Sequence, residues 1–509
     1  MPLANTFAVQ GNHRRDTEQH VVSEFTYTRP SVSVTDGKAT VDIKKHDLLI
    51  RTDKVVPKVG VMLVGLGGNN GTTLTGAHFA NKHNLTWETP RGKQSANWYG
   101  SLMQCGTSIL GYDADQTISV RFADMLPTLS PDDIVFGGWD ISSLNLYDAM
   151  RRASVFPVEL QDSLRQYMEP IKPLKAAFIP DFVAANQNSR ADNVLEGNRK
   201  SLVSQLRDQI KTFKQSNSLD KVIVLWTANT ERSVEVEDCH KTKQSLMNAI
   251  EKNDDRIAAS VLYAVAAIEE GCSFINGSPQ NTLLPGIVEL AYEKGVFIGG
   301  DDFKTGQTKV KSVLVDFLVG AGIKPRSIVS YNHLGNNDGQ NLSAPQQFRS
   351  KEISKSNVID DAVTGNPVLY SDGVGPDHTV VIKYVPFVGD SKRAMDEYVS
   401  ELMCGGLNTM ILHNTCEDSI LAAPLILDLI IFTELFERIT IDVDGKKNLS
   451  FDSVLSLLSF LLKAPCVPER APVINTLWRQ RMAIDNFFRA ASGLPLETCL
   501  SLEDRIDFV

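Results

Sequence analysis

Cysteines are few, and none is placed for a disulfide framework or a zinc site. The 509 residues include an odd number of cysteines without a Cys-x-x-Cys pair: Cys105, Cys239, Cys272, Cys404, Cys416, Cys466 and Cys499. A disulfide framework normally uses an even set, and a zinc site needs closely spaced ligands. The spacing of His78 and His83 does not match a His-Glu-x-x-His zinc site. We therefore expect reduced thiols and no bound metal.

A long hydrophobic run is also absent. The longest apolar stretch, 420–432, contains Pro424 and Asp428, and it is shorter than the roughly 20 residues that cross a bilayer. The opening segment MPLANTFAVQGNHRR has no apolar core of signal-peptide length. The sequence therefore predicts a cytoplasmic chain without a membrane span.

Basic residues are outnumbered by acidic ones. The 51 Lys and Arg against 61 Asp and Glu give a net charge of -10, which disfavours broad binding to nucleic acids or anionic membranes. The chain also lacks the Gly-x-Ser-x-Gly elbow of serine hydrolases and the Gly-x-x-x-x-Gly-Lys-Ser/Thr loop of P-loop kinases. Any phosphate site must therefore be local and of another kind.

What the sequence does contain is an alternation of strand-length apolar runs with helical windows. The runs between Lys58 and Lys309 are VGVMLVG, DIVFGGWD, KAAFIPD, KVIVLWTAN, CSFING and VFIGGDD. Apolar residues recur at helical spacing in 194–213 and 257–268. This alternation is typical of a parallel α/β sheet, so we predict an α/β protein with a Rossmann-like, doubly wound domain.

Composition and length divide the chain into four segments, because one compact domain rarely exceeds about 200 residues. Residues 1–57 are polar and predict an N-terminal arm with one short strand. Residues 58–308 form the predicted Rossmann-like domain, and the alternating strands in 309–420 predict a second α/β domain with a mixed or antiparallel sheet. Residues 421–509 read as helical, including 451–462, and we expect them to return to the first sheet.

A glycine-rich turn follows the first predicted strand. In the segment GLGGNNG, backbone N–H groups and the dipole of the next helix can hold a pyrophosphate. Its match to Gly-x-Gly-x-x-Gly is imperfect, because Asn70 occupies the third glycine position. A structural turn without a ligand is the alternative, but the strand before it and the helix after it favour a dinucleotide. The predicted cofactor contacts here are Gly65, Gly67, Gly68, Asn69, Asn70 and Gly71.

Polar side chains end the later strands of the predicted sheet. Asp140 ends the second strand, as expected for an acid that binds a ribose hydroxyl, although it lies beyond the usual distance of about 20 residues. Each such residue alone could be a helix cap or a turn residue. Several successive strand ends of this kind indicate one cofactor edge, with further contacts from Gln187, Arg190, Thr227, Ala228, Asn229, Thr230, Gly277 and Ser278.

Lysines and amides are concentrated after these strands. Lys351 and Lys355 share one face of a predicted helix, where their repulsion of about 0.2–0.5 kcal/mol would be removed by a bound anion. A solvated helix face is the alternative. Other polar segments are GGDDFKTGQTK, NHLGNNDGQN, GDSK and CEDS. Together they supply cations for a phosphate, amides for hydroxyl groups and lysines for proton transfer.

Ten segments occur in one order between roughly residues 55 and 495, among them PKVGVMLVGLGGNNGTTLTG, FIPDFVAANQNSRADN, SYNHLGNNDGQNLS and FRSKEISKS. Together they resemble the eukaryotic inositol-3-phosphate synthases (myo-inositol-1-phosphate synthases). The resemblance implies isomerisation of glucose 6-phosphate to 1D-myo-inositol 3-phosphate, the first step of inositol biosynthesis, with bound NAD. In the family's scheme carbon 5 is oxidised, an enolate at carbon 6 attacks the carbon 1 aldehyde, and the ketone is reduced again.

The resemblance also implies roles for individual residues. Lys351, Lys355 and Lys392 are the expected proton-transfer and anion-stabilising groups, and Asp302 and Asn332 are expected to orient the sugar or nicotinamide. Further implied cofactor contacts are Thr305, Asn336, Asn337, Asp338, Gly389, Asp390, Asp418 and Ser419. The implied assembly is a homotetramer in which an inserted α/β domain carries catalysis and the subunit contacts.

Two positions depart from the family pattern. Leu66 stands in place of Trp, which we expect to change packing more than chemistry. Arg479 stands where the family usually has Lys, and a guanidinium cannot act as a neutral base. We predict that Arg479 is an electrostatic partner of the sugar or of a neighbouring carboxylate. A nucleotide-binding regulator without turnover and an ordinary NAD-dependent sugar-phosphate dehydrogenase remain alternatives.

Overall fold

The computed structural model describes residues 3–11, 13–113, 116–498 and 500. Cys499 and the chain end, 501–509, which the sequence analysis included, lie outside the described residues. The strands are β1 Leu3–Ala4, β2 Arg14–Asp16, β3 His20–Thr35, β4 Lys38–Asp53, β5 Val59–Val64, β6 Thr86–Trp87, β7 Gln94–Ser95, β8 Thr107–Asp113, β9 Gln116–Arg121, β10 Val135–Asp140, β11 Leu174–Lys175, β12 Lys221–Trp226, β13 Ser273–Asn276, β14 Ile298–Gly299, β15 Lys324–Leu334, β16 Asp377–Tyr384, β17 Ser391–Glu401, β18 Leu407–Glu417, β19 Ile439–Val443 and β20 Lys446–Leu449. The α-helices are α1 Asn69–Lys82, α2 Leu102–Cys105, α3 Leu146–Ala153, α4 Val158–Met168, α5 Arg199–Ser216, α6 Lys243–Glu251, α7 Ala259–Glu269, α8 Pro285–Lys294, α9 Gly306–Gly320, α10 Asn337–Asn341, α11 Pro345–Ser356, α12 Asp360–Thr364, α13 Asp418–Glu437 and α14 Leu477–Ala491.

A parallel six-stranded sheet forms the first domain. Its order is β11-β10-β5-β12-β13-β14, which is the 3-2-1-4-5-6 order of a dinucleotide-binding fold. Every residue of β5 is buried, as expected when helices cover both faces of a parallel sheet. The predicted doubly wound fold is confirmed. The predicted strands KAAFIPD and VFIGGDD shorten to β11 and β14, because each lies at a sheet edge and has one neighbouring strand.

Capping residues set where the covering helices begin. The window 194–213 becomes α5, which starts later because the side chain of Asn198 accepts a hydrogen bond from the Ser201 N–H. The window 257–268 becomes α7, whose residues 259–268 are all buried. The periodicity therefore located both helices, and the Asn198 cap shifted the first residue of α5.

The second sheet has the order β16-β15-β17-β18. Strand β15 pairs in parallel with β16 and antiparallel with β17, and β17 pairs antiparallel with β18. It is the mixed sheet that the alternating pattern predicts. Helix α9 contacts β15 and α11 contacts β16, and inward-facing residues of β17 such as Lys392 and Tyr398 are buried.

The N-terminal segment differs from the prediction of an arm with one short strand. Strands β3 and β4 form a hairpin of 16 residues on each side. The sheet continues from β4 to β19 and β20, close to the other end of the chain. Asp36 and Gly37 connect the two long strands with φ values of 51° and 74°, the conformation of a two-residue hairpin turn. The single-strand prediction is therefore wrong.

Helix α13 forms the centre of the largest hydrophobic cluster. Its residues from Ala422 to Phe436 are all buried, and it contacts α1. It is the described helix that is long and apolar enough to cross a bilayer by length and composition, and 89% of its apolar window is buried inside the fold. The helix predicted over 451–462 is wrong: a short 3-10 helix, Ser456–Leu461, occupies this stretch. The chain bridges β14 at Val454 there, so backbone pairing competes with helix formation.

Asp428 fixes α13 against the start of α2. Its carboxylate accepts hydrogen bonds from the Ser101 hydroxyl at 2.5 Å and from the N–H groups of Leu102 at 2.5 Å and Met103 at 3.1 Å. Asp428→Ala should leave these buried donors without an acceptor and lower the stability by about 2–4 kcal/mol. Chemical denaturation followed by tryptophan fluorescence measures the change. Ser101→Ala is the control and should have the smaller effect; equal stability of Asp428→Ala and the wild type would contradict the assignment.

Candidate active site

A cleft opens where the carboxyl edge of the parallel sheet meets the second domain. It encloses about 1420 Å³ of unfilled space, including its open mouth. Ligands bind at this edge in open α/β sheets. The predicted site residues that line it are Gly65, Gly68, Asn69, Asn70, Asp140, Gln187, Arg190, Thr227, Ala228, Asn229, Gly277, Ser278, Asp302, Thr305, Asn336, Asn337, Asp338, Lys351, Lys392, Asp418 and Ser419.

The other predicted residues stand behind this lining or away from it. They are Gly67, Gly71, Thr230, Asn332, Lys355, Gly389, Asp390 and Arg479. Except for Arg479, each of these residues either belongs to a segment that contributes other lining residues or contacts the side chain of a lining residue. Gly389 has a φ of 54° in the turn before β17, and a side chain at Gly335 would meet its backbone nitrogen at 2.3 Å.

Close backbone contacts require two glycines of the turn after β5 and leave little room at a third. A Cβ atom at Gly65 would lie 2.8 Å from the Ala228 Cα, and one at Gly71 would lie 2.4 Å from the Leu66 carbonyl oxygen. One at Gly68 would lie 3.1 Å from the Gly65 carbonyl oxygen. Gly71 therefore provides the close helix–strand packing of the third motif glycine, although it comes one residue late.

The first turn of α1 is suited to an anion. Helix α1 starts at Asn69 after Gly68, and no acidic residue lies in its first turn. The first N–H groups of a helix lack intrahelical acceptors and carry the positive end of its dipole. The small turn and these amides form a cradle that a Cβ at Gly68 would narrow, so the residues fit the pyrophosphate of a dinucleotide.

Asp140 joins the glycine turn to the end of β10. Its carboxylate accepts hydrogen bonds from the N–H groups of Gly67 and Ser142, both at 2.9 Å. Burial raises its pKa, and Arg190 and Arg152 oppose this effect. Each carboxylate oxygen retains a lone pair after these bonds. The predicted ribose contact thus remains available to a residue that also shapes the turn.

Hydrogen bonds hold α10 of the second domain against the strand ends of the first. Asp338 accepts hydrogen bonds from the Thr230 N–H at 2.9 Å and its hydroxyl at 3.1 Å. The Asn337 amide donates to the side-chain oxygens of Gln187 at 2.9 Å and Asn229 at 3.1 Å. Residues far apart in the sequence therefore face one cavity.

Asp302 lies at the centre of a group of buried cations. Its Oδ1 contacts the Nζ atoms of Lys351 at 2.9 Å and Lys463 at 3.3 Å, and its Oδ2 accepts a hydrogen bond from Ser354 at 2.7 Å. Burial alone would raise the pKa of Asp302, but the two lysines lower it below its ordinary value. Burial alone would lower the pKa of Lys351, but Asp302 and Asp338 raise it. Lys351 and Asp302 therefore form a lasting ion pair.

Two other lysines have lowered pKa values. Burial, together with the charges of Lys392 and Lys463, lowers the pKa of Lys355 well below its ordinary value. Lys355 Nζ donates to the Asn332 Oδ1 at 2.7 Å. Burial lowers the pKa of Lys463 to about 7, against the attraction of Asp302. Lys355 is only 3% exposed, so the alternative of a solvated helix face is wrong.

Two carboxylates, Asp390 and Asp418, lie where the glycine turn approaches the start of α13. Asp390 accepts hydrogen bonds from the Ser419 N–H at 2.9 Å, its hydroxyl at 2.8 Å and the Asn69 amide at 3.1 Å. Asp418 lies 3.4 Å from the Lys392 Nζ. Although burial acts to raise it, the pKa of Asp418 is lowered by Lys392 and Lys351. Lys392 and Asp418 therefore border the cleft, and Asp390 lies behind them.

Lys463 lines the cleft, and Arg479 does not. Arg479 is exposed on α14 and does not line the cavity, so its predicted contact with the sugar is wrong for the site of this chain. Its other predicted role, as partner of a neighbouring carboxylate, stays a prediction: burial and Asp361 raise the pKa of Asp316, and the charge of Arg479 only opposes this rise. Lys463 was missed, although it follows the apolar run SFLL directly. A lone lysine beside an apolar run, followed by Ala-Pro, is the signal that could have identified it.

The sheet order, the glycine turn and the lysine-lined cleft define a Rossmann-type dinucleotide-binding protein with a second domain that supplies lysines to the cleft. A family model described as myo-inositol-1-phosphate synthase, named as an NAD-binding family, matches residues 59–489. The chain belongs to the myo-inositol-1-phosphate synthase family.

Individual relatives agree with this family. Inositol-3-phosphate synthase 1 of Homo sapiens is 56% identical over 491 residues, covering 96% of this chain and 88% of that protein. The Bos taurus protein of the same name is 55% identical over 511 residues, covering 100% of this chain and 91% of its own. The crystal structure of inositol-3-phosphate synthase from Caenorhabditis elegans superposes with a TM-score of 0.97 at 49% identity, covering 99% of both chains.

The cradle at the start of α1 can be tested by filling it. Gly68→Val should weaken NAD binding at least tenfold, because the new side chain occupies the space where a pyrophosphate approaches the backbone. Gly320→Val is the matched control, since a Cβ at Gly320 meets nothing within 4 Å. Calorimetric titration with NAD measures both affinities, and thermal denaturation verifies folding. Wild-type affinity in folded Gly68→Val would contradict this placement of the cofactor.

Proposed function

We propose that this chain converts glucose 6-phosphate into 1D-myo-inositol 3-phosphate with a bound NAD that is regenerated in every turnover. The observation that carries the proposal is the group around Asp302. Lys351, whose pKa is raised by Asp302, and Lys463, with a pKa of about 7, contact this same carboxylate. This group shares its cleft with the dinucleotide turn.

The cofactor would be held by the cradle at the start of α1, with Asp140 at its ribose and the strand-end residues Gln187, Thr227 and Ser278 along its length. When bound, NAD accepts a hydride from the sugar and returns it at the end of the cycle. Asp418 and Ser419 also line the cleft, where they would orient the nicotinamide.

The lysines divide the remaining chemistry between them. Enolate formation requires a base that is neutral at working pH and a cation beside the developing oxyanion. Lys463 Nζ, with a pKa near 7, would take the proton from carbon 6 of the oxidised sugar. Lys351 Nζ, held charged by Asp302, would stabilise the oxygen that becomes negative. Lys392 adds a second cation beside Asp418.

This division of roles favours an isomerase over the two alternatives. A simple dehydrogenase needs one acid–base group at the alcohol, whereas this cleft concentrates several buried lysines around Asp302. The regulator without turnover depended on a disabling Arg479. Because Arg479 lies outside the cleft, its difference from the family pattern leaves the candidate catalytic lysines unchanged.

The homotetramer and the cytoplasmic location implied by the family resemblance belong to this proposal. The outward face of the second sheet supports self-association. Tyr331 and Met395 lie opposite each other on this face, and Leu407 and Ile411 on the edge strand are each 69% exposed. Large apolar side chains exposed on one face of a sheet support a protein interface there.

Cofactor stoichiometry tests the function directly. Incubation with glucose 6-phosphate and substoichiometric NAD should give many equivalents of inositol phosphate per NAD without accumulation of NADH. Chromatography measures the product and absorbance measures NADH. NADH formed in proportion to consumed sugar would instead identify a dehydrogenase, and binding without any product would identify a regulator.

The different positions of Lys463, which lines the cleft, and Arg479, which does not, give a second test. Lys463→Ala should lower kcat by about a hundred- to ten-thousand-fold, the usual contribution of a general base. Arg479→Ala should stay within about threefold of the wild type, since its side chain is exposed outside the cleft. The wild-type kcat should rise with pH through about 7 as Lys463 loses its proton. A larger loss of kcat in Arg479→Ala than in Lys463→Ala would assign the catalytic role to position 479.

A further inference from the structure

The outer half of the β3–β4 hairpin, residues 28–46, forms an arm that extends from the body of the protein. Nearly all of its residues are exposed, on both faces of the two-stranded ribbon. The inner half is anchored, because β4 pairs with β19 and both strands contact α14. At about 3.4 Å per residue, the arm reaches roughly 30 Å beyond this anchor.

The register of the hairpin gives the arm one apolar face. Val32 lies directly opposite Val41, Val34 opposite Ala39, and Pro30 opposite Ile43. Directly opposed residues share a face of the ribbon. The alternate positions form the polar face: Arg29, Ser31, Ser33, Thr35, Lys38, Thr40, Asp42 and Lys44.

This apolar face is uncovered in the single chain. Val32 is 59% exposed and Val34 68%, while Val41 is 56% and Ile43 58% exposed. A two-stranded ribbon is at best marginally stable in water. Six adjacent apolar residues on such a ribbon therefore indicate that the arm is ordered against a partner that covers this face.

The charge of the arm favours an acidic partner, because the basic residues of its polar face, Arg29, Lys38 and Lys44, would flank a contact made by the apolar face. Residues 28–46 contain four basic and two acidic side chains, a net charge of +2, whereas the whole chain has a net charge of -10. The body of the same protein is therefore acidic and complementary to the arm. An apolar face that is exposed in every copy needs a partner that is always present. A second copy of the same chain meets this condition.

We propose that the arm docks by its apolar face on the body of a second copy of this chain, and that the second copy returns its own arm. Such a contact is isologous and closes after two subunits. The inference rests on the proposed homotetramer. A tetramer with dihedral symmetry needs two different interfaces, and the outward face of the second sheet supplies the other.

The two faces of the arm provide a matched pair of variants. Val32→Lys with Val41→Glu places an ion pair on the apolar face, and Ser33→Lys with Thr40→Glu places the same pair one residue away on the polar face. Opposite charges in directly opposed positions preserve strand pairing. Native mass spectrometry should give the wild-type mass for the polar-face variant and a lower oligomer for the apolar-face variant. NAD titration verifies that both bodies are folded.

A milder variant separates docking from loss of the hairpin. Val32→Thr with Val41→Thr keeps the β-branched shape that favours strands but removes apolar area. It should raise the dissociation constant of the assembly at least tenfold in sedimentation experiments. An oligomeric wild type with unchanged mass in every arm variant would overturn the arm contact alone, whereas a monomeric wild type would overturn it together with the tetramer.

Discussion

The ion pair between Asp302 and Lys351 is the interaction on which the arrangement of the cleft depends. Asp302 follows β14 of the first domain, and Lys351 lies on α11 of the second. A buried charge is destabilising unless it is paired and hydrogen-bonded, so neither residue can occupy its position without the other domain. Ser354 and Lys463 complete the coordination of the same carboxylate. The two domains and the C-terminal segment are therefore held together at the place where chemistry is needed.

The same ion pair separates the properties of otherwise similar lysines. Lys351 lies against Asp302, which raises its pKa above the ordinary value. Lys355 is more deeply buried, its Nζ donates to a neutral amide, and other lysines are its neighbours. Its pKa is therefore lowered, whereas the direct contact with Asp302 raises the pKa of Lys351. Two residues on one face of α11 acquire opposite pKa shifts by this difference in partners.

Much of the fold could be predicted from the sequence, because strands buried on both faces of a parallel sheet appear as continuous apolar runs. The cofactor edge also followed, since polar residues after successive strands must meet at one edge. Lys463 could not be placed, because only tertiary packing brings it 161 residues back to Asp302. The long hairpin was missed although Asp36-Gly37 is a strong turn signal. Its outer half alternates apolar and polar residues, as in Ala39-Thr40-Val41, but the prediction took this alternation for one short strand.

The pairing of β4 with β19 has a consequence for how the chain matures. Arg51 and Asp442 form an ion pair across this junction although they are 391 residues apart. At a synthesis rate of about 5–20 residues per second, the N-terminal strands wait roughly 20–80 s on the ribosome before their partner strand is made. During that interval the apolar edge of β3 and β4 is uncovered, at a stage when other nascent chains are nearby. The nascent chain therefore exposes an unpaired strand for longer than a protein built from local contacts does.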